Sequence, residues 1–240
     1  MGKAPGRCDD FVIDITDEPV KAIKKIVREN LKYLEVTHQI IVPSRKSWVG
    51  TIKLNSLVQS LKDLPLKHVS PERHKYAEDQ GINFYEGDKV IMTQNLYELE
   101  VFNGESGIIT LITHAGEIEV DFGDRRVLFP QAIERFNKYG GTFFYNPQKD
   151  LDLAYVVTTH KSQGSEYDEI CYILNKSTMF TQNRKNFYTA VTRAKNKVHI
   201  VTDQRSLAHS LYKMSDFEMA SRRKGMTVSG NIVTMREAQK

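Results

Sequence analysis

The chain has 240 residues and a formal charge of +4, with 34 lysines and arginines against 30 aspartates and glutamates. Its 40% hydrophobic and 27% charged residues are ordinary for a soluble globular protein, and no apolar run approaches the roughly 18 residues of a membrane span. The first residues lack the apolar core of a secretory signal, and two widely separated cysteines are typical of a reducing compartment. We therefore expect a folded cytoplasmic protein, for which a nucleic-acid partner is permitted by charge but not demanded.

The first third of the chain predicts two helices around one strand. An apolar stripe predicts a helix from about Asp17 to Leu34, capped by Asp17 and with Pro19 in its first turn. The β-branched run Gln39–Val42 predicts a buried strand. A second helix is predicted from Thr51 to Leu61, and the polar stretch Pro65–Gln80, with its two prolines, predicts a connector.

From Gly87 to Pro130 the pattern changes to short alternating strands separated by turns. The pair Asn103-Gly104 indicates a tight turn. The predicted strands are Lys89–Met92, Gly107–Leu111, Ile118–Phe122 and Val127–Phe129. So many short antiparallel strands in so few residues favour a small barrel. The following run, Thr142–Tyr145, has the bulk to stack on nucleobases, but such a run favours core packing.

After Pro147 strands and helices alternate again. The predicted strands are Leu151–Val157, Glu169–Leu174 and Val198–Thr202, and the predicted helices are Gln182–Ala194 and Ser206–Met214. This alternation predicts an α/β fold with a mostly parallel sheet and helices on both faces. The small β region interrupts that sheet in sequence.

A polar segment, Thr158–Glu166, lies between two predicted strands. Its hydroxyl, imidazole and ammonium side chains follow the carboxyl end of a strand, where ligands bind in open α/β sheets. Backbone amides and Lys161 are suited to phosphate oxygens, and Gly164 permits close approach of the chain. Taken alone, the segment is better explained as a polar turn.

A second segment, Asn186–Lys195, ends a predicted helix. Helical spacing puts Tyr188, Thr192 and Lys195 on one side and Arg193 on the adjacent face. An arginine near such a helix end is able to reach a phosphate. The alternative is a solvated cation that favours the helix carboxyl end.

The two segments together, THKSQGSE and YTAVTRAK in strand–loop–strand–helix–strand order, resemble motifs V and VI of superfamily-one helicases, in the RecD-type branch that includes the exodeoxyribonuclease V alpha subunit. Ile41–Lys46 with Gly50-Thr51 and Leu54-Asn55 resembles the family's motif IV region. Gly87–Asn95 and Val101–Gly107 resemble the SH3-like barrel inserted in that branch's second motor domain. The resemblance implies a RecA-like parallel sheet interrupted by an SH3-like barrel.

The resemblance implies roles for particular residues. Arg193 matches the motif VI arginine that reaches the ATP γ-phosphate, and Arg45 matches a motif IV arginine that faces the nucleotide. The residues implied to line the nucleotide cleft are Gln163, Gly164, Glu166 and Tyr188. The residues implied to touch single-stranded DNA are Thr159, His160 and Lys161. Such an arginine meets the charge that spreads over the γ-phosphoryl oxygens and contributes about 10³ to 10⁵ in rate.

The barrel invites two interpretations, a structural spacer or a cover over single-stranded DNA. In the second, the contact residues are Lys89, Gln94, Asn95 and Tyr97. The expected division of the chain is a discontinuous RecA-like motor domain over 1–80 and 140–215, a barrel over 85–135 and a tail over 216–240.

No GxxxxGK[ST] segment and no apolar strand ending in two acids occur in the sequence. The resemblance therefore implies that ATP and Mg²⁺ are bound mainly by a first motor domain, in the same protein or a separate subunit. We expect the carboxy-terminal half of an ATP-dependent helicase that moves 5′→3′ and serves DNA repair or recombination, inactive as an isolated chain. The alternative is a non-catalytic nucleic-acid-binding or partner-docking module derived from a helicase.

Overall fold

The computed structural model describes residues 10–62 and 83–213. The predicted connector Pro65–Gln80 and the tail 216–240 lie outside the described residues. No helix in the described ranges combines the length and the apolar character needed to cross a membrane.

The described residues form two five-stranded sheets, a two-stranded hairpin and four α-helices. The strands in chain order are β1 (Phe11–Ile15), β2 (His38–Val42), β3 (Lys89–Met92), β4 (Ser106–Ile112), β5 (Ile118–Asp121), β6 (Arg126–Phe129), β7 (Ile133–Phe136), β8 (Thr142–Tyr145), β9 (Leu151–Leu153), β10 (Val156–Thr158), β11 (Tyr167–Ile173) and β12 (Ala194–Thr202). The helices are α1 (Pro19–Glu29), α2 (Thr51–Gln59), α3 (Arg184–Val191) and α4 (Gln204–Tyr212).

The first sheet is parallel, with strand order β1-β12-β11-β2-β10. The predicted strand Gln39–Val42 is confirmed as part of β2, which is buried throughout because strands flank it on both sides. Its side chains alternate between faces: Ile40 and Val42 join the core with α1 and α2, whereas Ile41 joins the core with α3. Helices thus cover both faces, and the predicted α/β class is confirmed.

The second sheet is antiparallel, with strand order β6-β5-β4-β3-β9. The predicted strands Gly107–Leu111 and Ile118–Phe122 are found as β4 and β5, which pair as a hairpin, and the predicted turn at Asn103-Gly104 is found with φ of +94° at Gly104. The buried residues of this sheet, among them Val90 and Val120, join the same core cluster as α1 and α2. The two sheets are therefore packed as one body.

The prediction of a single strand over Leu151–Val157 was wrong, because its halves belong to different sheets. β9 pairs with β3 of the antiparallel sheet, and β10 pairs with β2 of the parallel sheet. The Asn55 amide bonds the backbone at Leu153 and Val156, with distances of 2.8 to 3.1 Å. The Gln39 amide bonds Ala154 O and Tyr155 O at 3.0 and 3.1 Å. These side chains satisfy backbone groups that neither ladder pairs, so the chain can change sheets inside the core.

A buried lysine stands beside this crossing. Lys89 has no exposed surface, and its Nζ donates to His38 O at 2.7 Å and Gln39 Oε1 at 2.9 Å. Burial, with a smaller effect of Lys62, lowers the pKa of Lys89 to about 7. The predicted contact of Lys89 with DNA was wrong, since the side chain cannot reach a surface ligand. Gln39, Asn55 and Lys89 are called the buried joint below.

The predicted helix Asp17–Leu34 is shorter than expected. α1 begins at Pro19, as the proline predicted, but Asp17 does not cap it: the N-cap is Glu18, with no side-chain cap bond. The helix ends at Glu29 because Asn30 turns the chain, its side chain accepting from Lys32 N at 3.2 Å. A 3₁₀ turn then covers Leu31–Leu34.

The helices predicted near the carboxyl end are displaced at their ends. The helix predicted over Gln182–Ala194 spans only α3, capped by Asn183, whose side chain accepts from Asn186 N. Lys195 lies in β12 and does not share a helix face with Tyr188, so that prediction was wrong. The helix predicted over Ser206–Met214 is α4, with Asp203 as its cap.

Two features were missed from the sequence. β1 is an edge strand, too short and too exposed to give a clear pattern. β7 and β8 form a hairpin that includes Thr142–Tyr145. Core packing of that run was the favoured interpretation, and it was wrong for Phe143 and Phe144, which are 43% and 76% exposed. An apolar run indicates bulk, but not which face of a ribbon meets the core.

Candidate functional site

The polar segment forms a loop that crosses the parallel sheet. It leaves β10 beside Val42, the last residue of β2, and enters β11 at Tyr167, before the level of His38. Because the strands are parallel, the first position lies at the carboxyl edge of the sheet and the second at the amino edge. Residues 159–166, called the polar loop, therefore present their two ends at opposite edges.

Hydrogen bonds hold the start of the polar loop close to the sheet. Thr159 N donates to Val42 O at 2.9 Å, and the buried Ser162 hydroxyl donates to Thr159 O at 2.9 Å. Lys161 N donates to the Thr158 hydroxyl at 3.2 Å. The side chain of Thr159, predicted to touch DNA, is only 3% exposed, whereas that of His160 is exposed.

Gly164 has a φ of +86°, a conformation that side chains rarely adopt. A Cβ added there would meet nothing within 4 Å. The turn therefore needs glycine for its backbone angle. The close approach predicted at Gly164 is not made to any other part of the described chain.

Two cations meet one acid at the carboxyl edge. The Lys161 Nζ lies 2.9 Å from Asp152 Oδ2, and the Arg45 Nη2 lies 3.9 Å from the same oxygen. All three side chains line a small cavity of about 30 Å³. Arg45 is presented by a loop closed on itself at Gly50, where a Cβ would stand 2.4 Å from Arg45 O. Arg45, predicted to face the nucleotide, thus lies beside Lys161.

Arg193 lies at the opposite end of the polar loop. It follows α3 in the turn before β12, and its backbone carbonyl accepts from Tyr167 N at 2.9 Å. Its guanidinium donates to Ser165 O at 3.3 Å and to Thr189 O at 3.1 Å. No carboxylate within residues 10–62 and 83–213 pairs with it. The half-buried guanidinium keeps its positive charge against neutral oxygens.

The other residues predicted to line a nucleotide cleft are exposed near this end. Gln163 and Glu166 are both on the surface, and Glu166 makes a loose ion pair with Lys195 at 3.7 Å. Tyr188 is 67% exposed on α3. The structure therefore gathers this group around the Ser165 end of the polar loop, apart from Arg45.

Asn95 lies elsewhere, in the link between β3 and β4. Its amide donates to the Tyr97 hydroxyl at 3.2 Å, and its oxygen accepts from Asn103 N at 2.9 Å. Both ends of the side chain therefore shape the link. Tyr97 itself is 71% exposed.

Asp152 was not singled out from the sequence. Its only signal is an acid between two leucines in a strand, a pattern typical of many half-buried strands. The pairing with Arg45 and Lys161 depends on the exchange of strands between the sheets. Among the described residues no group of three or more histidines, cysteines and acids has a metal-binding arrangement.

Two family models match the chain. Residues 153–201, which include the polar loop and Arg193, match the UvrD-like helicase C-terminal domain. Residues 54–122, which include β3 to β5, match the SH3 domain of ATP-dependent RecD-like DNA helicases.

Curated relatives carry related names. The RecBCD enzyme subunit RecD of Mycolicibacterium smegmatis is 31% identical over 119 residues, covering 50% of this chain and 18% of the relative. The ATP-dependent RecD2 DNA helicase of Deinococcus radiodurans is 31% identical over 159 residues, covering 66% of this chain and 19% of the relative. The chain thus spans about a fifth of the length of these relatives.

Among solved structures, a Pif1 helicase from Bacteroides in complex with ADP-AlF3 and single-stranded DNA aligns with a TM-score of 0.48 and 19% identity. The alignment covers 88% of this chain and 55% of that one. Residues 153–201 are thus similar to a UvrD-like helicase C-terminal domain, and residues 54–122 are similar to the SH3 domain of ATP-dependent RecD-like DNA helicases.

Proposed function

We propose that this chain supplies the second motor domain of an ATP-dependent DNA helicase, and that Arg193 stabilises the γ-phosphate during hydrolysis. ATP and Mg²⁺ are held mainly by a first motor domain, in the same longer protein or in a separate subunit. The proposal extends the family matches to an activity of the whole protein. It rests mainly on the surroundings of Arg193.

A guanidinium has five donors in a planar fork, and those of Arg193 meet only neutral oxygens among the described residues. No acid neutralises the charge there, and the neighbouring carbonyls orient the side chain. This donor set suits phosphoryl oxygens that gain negative charge in the transition state. Because a first domain holds the nucleotide, the arginine becomes catalytic when the cleft between the domains closes.

The DNA side is assigned to the other end of the polar loop. Thr159, His160 and Lys161 stand at the carboxyl edge, and the exposed imidazole and the half-buried ammonium offer donors to a phosphate backbone. One short loop then joins a DNA contact to Gln163, Glu166 and the nucleotide arginine. A movement of the loop at one end changes the other, which is the physical basis for coupling DNA binding to hydrolysis.

Arg193 and Arg45 fit phosphate oxygens, although Arg45 stands at the Lys161 end, so its contact with nucleotide remains a prediction. Gly164, with its positive φ, lets the loop turn between Gln163 and Ser165. Mg²⁺ binding is assigned to the first motor domain together with the nucleotide.

Further assignments follow the same proposal. The motor domain covers 1–80 and 140–215, the barrel covers 85–135, and Asn95 with Tyr97 contributes a DNA-facing edge of the barrel. The movement is 5′→3′, and the cellular role is repair or recombination, as the name of the RecBCD relatives suggests.

The test joins this chain to its first motor domain and measures ATP hydrolysis with and without single-stranded DNA. Arg193→Ala is expected to lower DNA-stimulated turnover by about 10³- to 10⁵-fold while DNA binding changes little. Arg193→Lys, which keeps the charge but loses the fork, should recover only a small part. Lys185→Ala removes an exposed cation from α3, the helix that precedes Arg193, and serves as the control.

Strong ATP hydrolysis by the isolated 240-residue chain would contradict the proposal. Unchanged turnover in Arg193→Ala, with DNA binding independent of nucleotide, would instead favour a non-catalytic module that has kept a helicase fold.

A further inference from the structure

We propose that Asp152 is a positioning residue that acts as an internal counter-ion, competing with nucleic-acid phosphates for Lys161 and Arg45. The inference rests on the proposed contact between the polar loop and single-stranded DNA. It adds a residue from β9, in the antiparallel sheet, that sets how strongly the carboxyl edge binds.

One carboxylate oxygen serves both cations. Asp152 Oδ2 lies 2.9 Å from Lys161 Nζ and 3.9 Å from Arg45 Nη2. The three side chains come from three different elements: β9, the polar loop and the loop after β2. Asp152 is thus the point at which the second sheet touches both cationic loops.

The position of Asp152 is fixed by the backbone on either side. Asp152 pairs with Ile91 in the β3–β9 ladder, and the next carbonyl, Leu153 O, accepts from the Asn55 amide at 3.1 Å. A carboxylate held in this way cannot follow Lys161 when that side chain turns toward a ligand. The two cations must divide their attraction between the fixed acid and an arriving phosphate.

The exposed fractions of the three side chains indicate which of the two ion pairs breaks more easily. The Asp152 and Lys161 side chains are 26% and 30% exposed, whereas Arg45 is 52% exposed and lies a full ångström farther from the acid. Salt and water weaken the Arg45 pair more than the Lys161 pair. We therefore expect Arg45 to leave for a phosphate at little cost, and Lys161 to be the residue whose affinity Asp152 limits.

Neutralising Asp152 without changing its shape should release both cations. Asp152→Asn is expected to tighten binding of single-stranded DNA by about 3- to 10-fold at low salt. It should also steepen the plot of log affinity against log salt concentration, by about 0.7 for each additional phosphate contact on a single strand. A residue with only a structural role would weaken binding or leave the salt dependence unchanged.

The experiment measures binding of a labelled oligothymidine by the 240-residue chain over a salt series, using fluorescence anisotropy. The variants are Asp152→Asn, Asp152→Glu, Lys161→Gln, Arg45→Gln and the double variant Asp152→Asn with Lys161→Gln. The control is Glu29→Gln, which removes an acid from an exposed ion pair with Lys25 on α1 and so gives the same change in net charge. Circular dichroism and melting temperature show that each variant is folded.

The inference is supported if Asp152→Asn tightens binding and steepens the salt dependence more than Glu29→Gln does. Asp152→Glu, which keeps the negative charge, should bind like the parent chain. In the double variant Asp152→Asn with Lys161→Gln, most of the gain in affinity should be lost. It is overturned if Lys161→Gln weakens binding but Asp152→Asn does not strengthen it. If neither Lys161→Gln nor Arg45→Gln affects binding, the proposed DNA contact itself has failed.

A second arm separates the two sources of phosphate. Inorganic tripolyphosphate is titrated as a competitor against the labelled strand for each variant. If Asp152→Asn strengthens the hold on tripolyphosphate but not on the oligothymidine, the cations serve a nucleotide, and the nucleic-acid assignment is overturned.

Discussion

The buried joint, where the chain passes between the two sheets, and the polar loop, which crosses the parallel sheet, both present polar side chains, but these side chains have different kinds of partner. Gln39, Asn55 and Lys89 find neutral partners at 2.7 to 3.1 Å inside the fold. Near the polar loop, Lys161 shares an acid, and the partners of the Arg193 guanidinium among the described residues are two carbonyls and a hydroxyl. The polar groups of the joint are paired within the fold, whereas of the two cations proposed to serve a ligand Lys161 shares one acid with Arg45 and Arg193 meets no described carboxylate.

Lys89 in the buried joint and Arg193 near the polar loop differ in burial and in charge. Lys89 is completely buried, and its pKa is lowered to about 7, so the fold tends to discharge it. Arg193 is half-buried and stays charged, because a guanidinium does not lose its proton in proteins. A lysine is compatible with a joint, whereas an arginine suits a site that must stay positive.

The largest expected effect comes from breaking the joint. Asn55→Leu keeps the branching of the side chain but leaves Leu153 O, Val156 O and Val156 N without the hydrogen bonds that the amide makes to them. At 1–3 kcal/mol for each buried polar group, we expect a loss of about 4 kcal/mol in the free energy of unfolding, measured by urea denaturation. Asn186→Leu, at a partly exposed helix position, is the control and should lose less than about 1 kcal/mol. Equal losses in both variants would mean that the joint is not special.

The second largest loss of stability is expected at Gly50, where the loop that carries Arg45 closes on itself. In Gly50→Ala the new methyl group would meet Arg45 O at 2.4 Å, where backbone must shift. We expect a loss of about 2 kcal/mol, in the range of other overpacked sites, and weaker DNA binding because Arg45 moves. Gly104→Ala is the comparison variant. Its added Cβ would meet nothing within 4 Å, but the φ of +94° at this position is unfavourable for alanine, so the variant measures backbone strain without a steric clash. A Gly50→Ala variant with parent stability would show that the loop relaxes freely.

Lys89 gives a smaller effect that depends on pH. Its folded pKa of about 7 lies below the unfolded value of about 10.4, so between these values the unfolded chain binds a proton that the folded chain lacks. The free energy of unfolding should therefore rise with pH, by at most about 1.4 kcal/mol per unit, and the full penalty of the buried charge is present below pH 7. Lys89→Met should lack this slope.

The parent chain and Lys89→Met are compared between pH 7 and about 8.5. At higher pH Cys171 contributes a fall in the free energy of unfolding with pH, because burial raises the pKa of its thiol above the unfolded value. Identical pH profiles for the parent and Lys89→Met would contradict the assigned environment of Lys89.

The smallest effect on stability is expected at the proposed ligand side. Arg193→Gln removes a half-buried charge without a carboxylate partner, and we expect the free energy of unfolding to change by less than about 0.5 kcal/mol. Thermal and urea unfolding measure this change. A loss comparable to that of Asn55→Leu would mean that Arg193 holds the fold together, and would remove the main support for its catalytic role.

The sequence was sufficient for the fold class, because helical and strand periodicities alternate along the chain and the barrel region changes period visibly. It also brought Arg193 and the polar loop together before any coordinates. It could not separate Leu151–Leu153 from Val156–Thr158, because both halves are apolar and their partners, β3 and β2, are distant in sequence. The burial of Lys89 and the pairing of Asp152 likewise depend on tertiary contacts that no local pattern records.

The exchange of strands also bears on how motion travels through the molecule. Leu153 belongs to one sheet and Val156 to the other. The three residue steps of chain between these positions span at most about 10 Å when fully extended. Thr158, the next residue but one, ends the strand from which the polar loop departs. Because so short a segment joins the two ladders, the antiparallel sheet cannot shift far from the strand that leads into the polar loop without breaking pairs in one of the ladders.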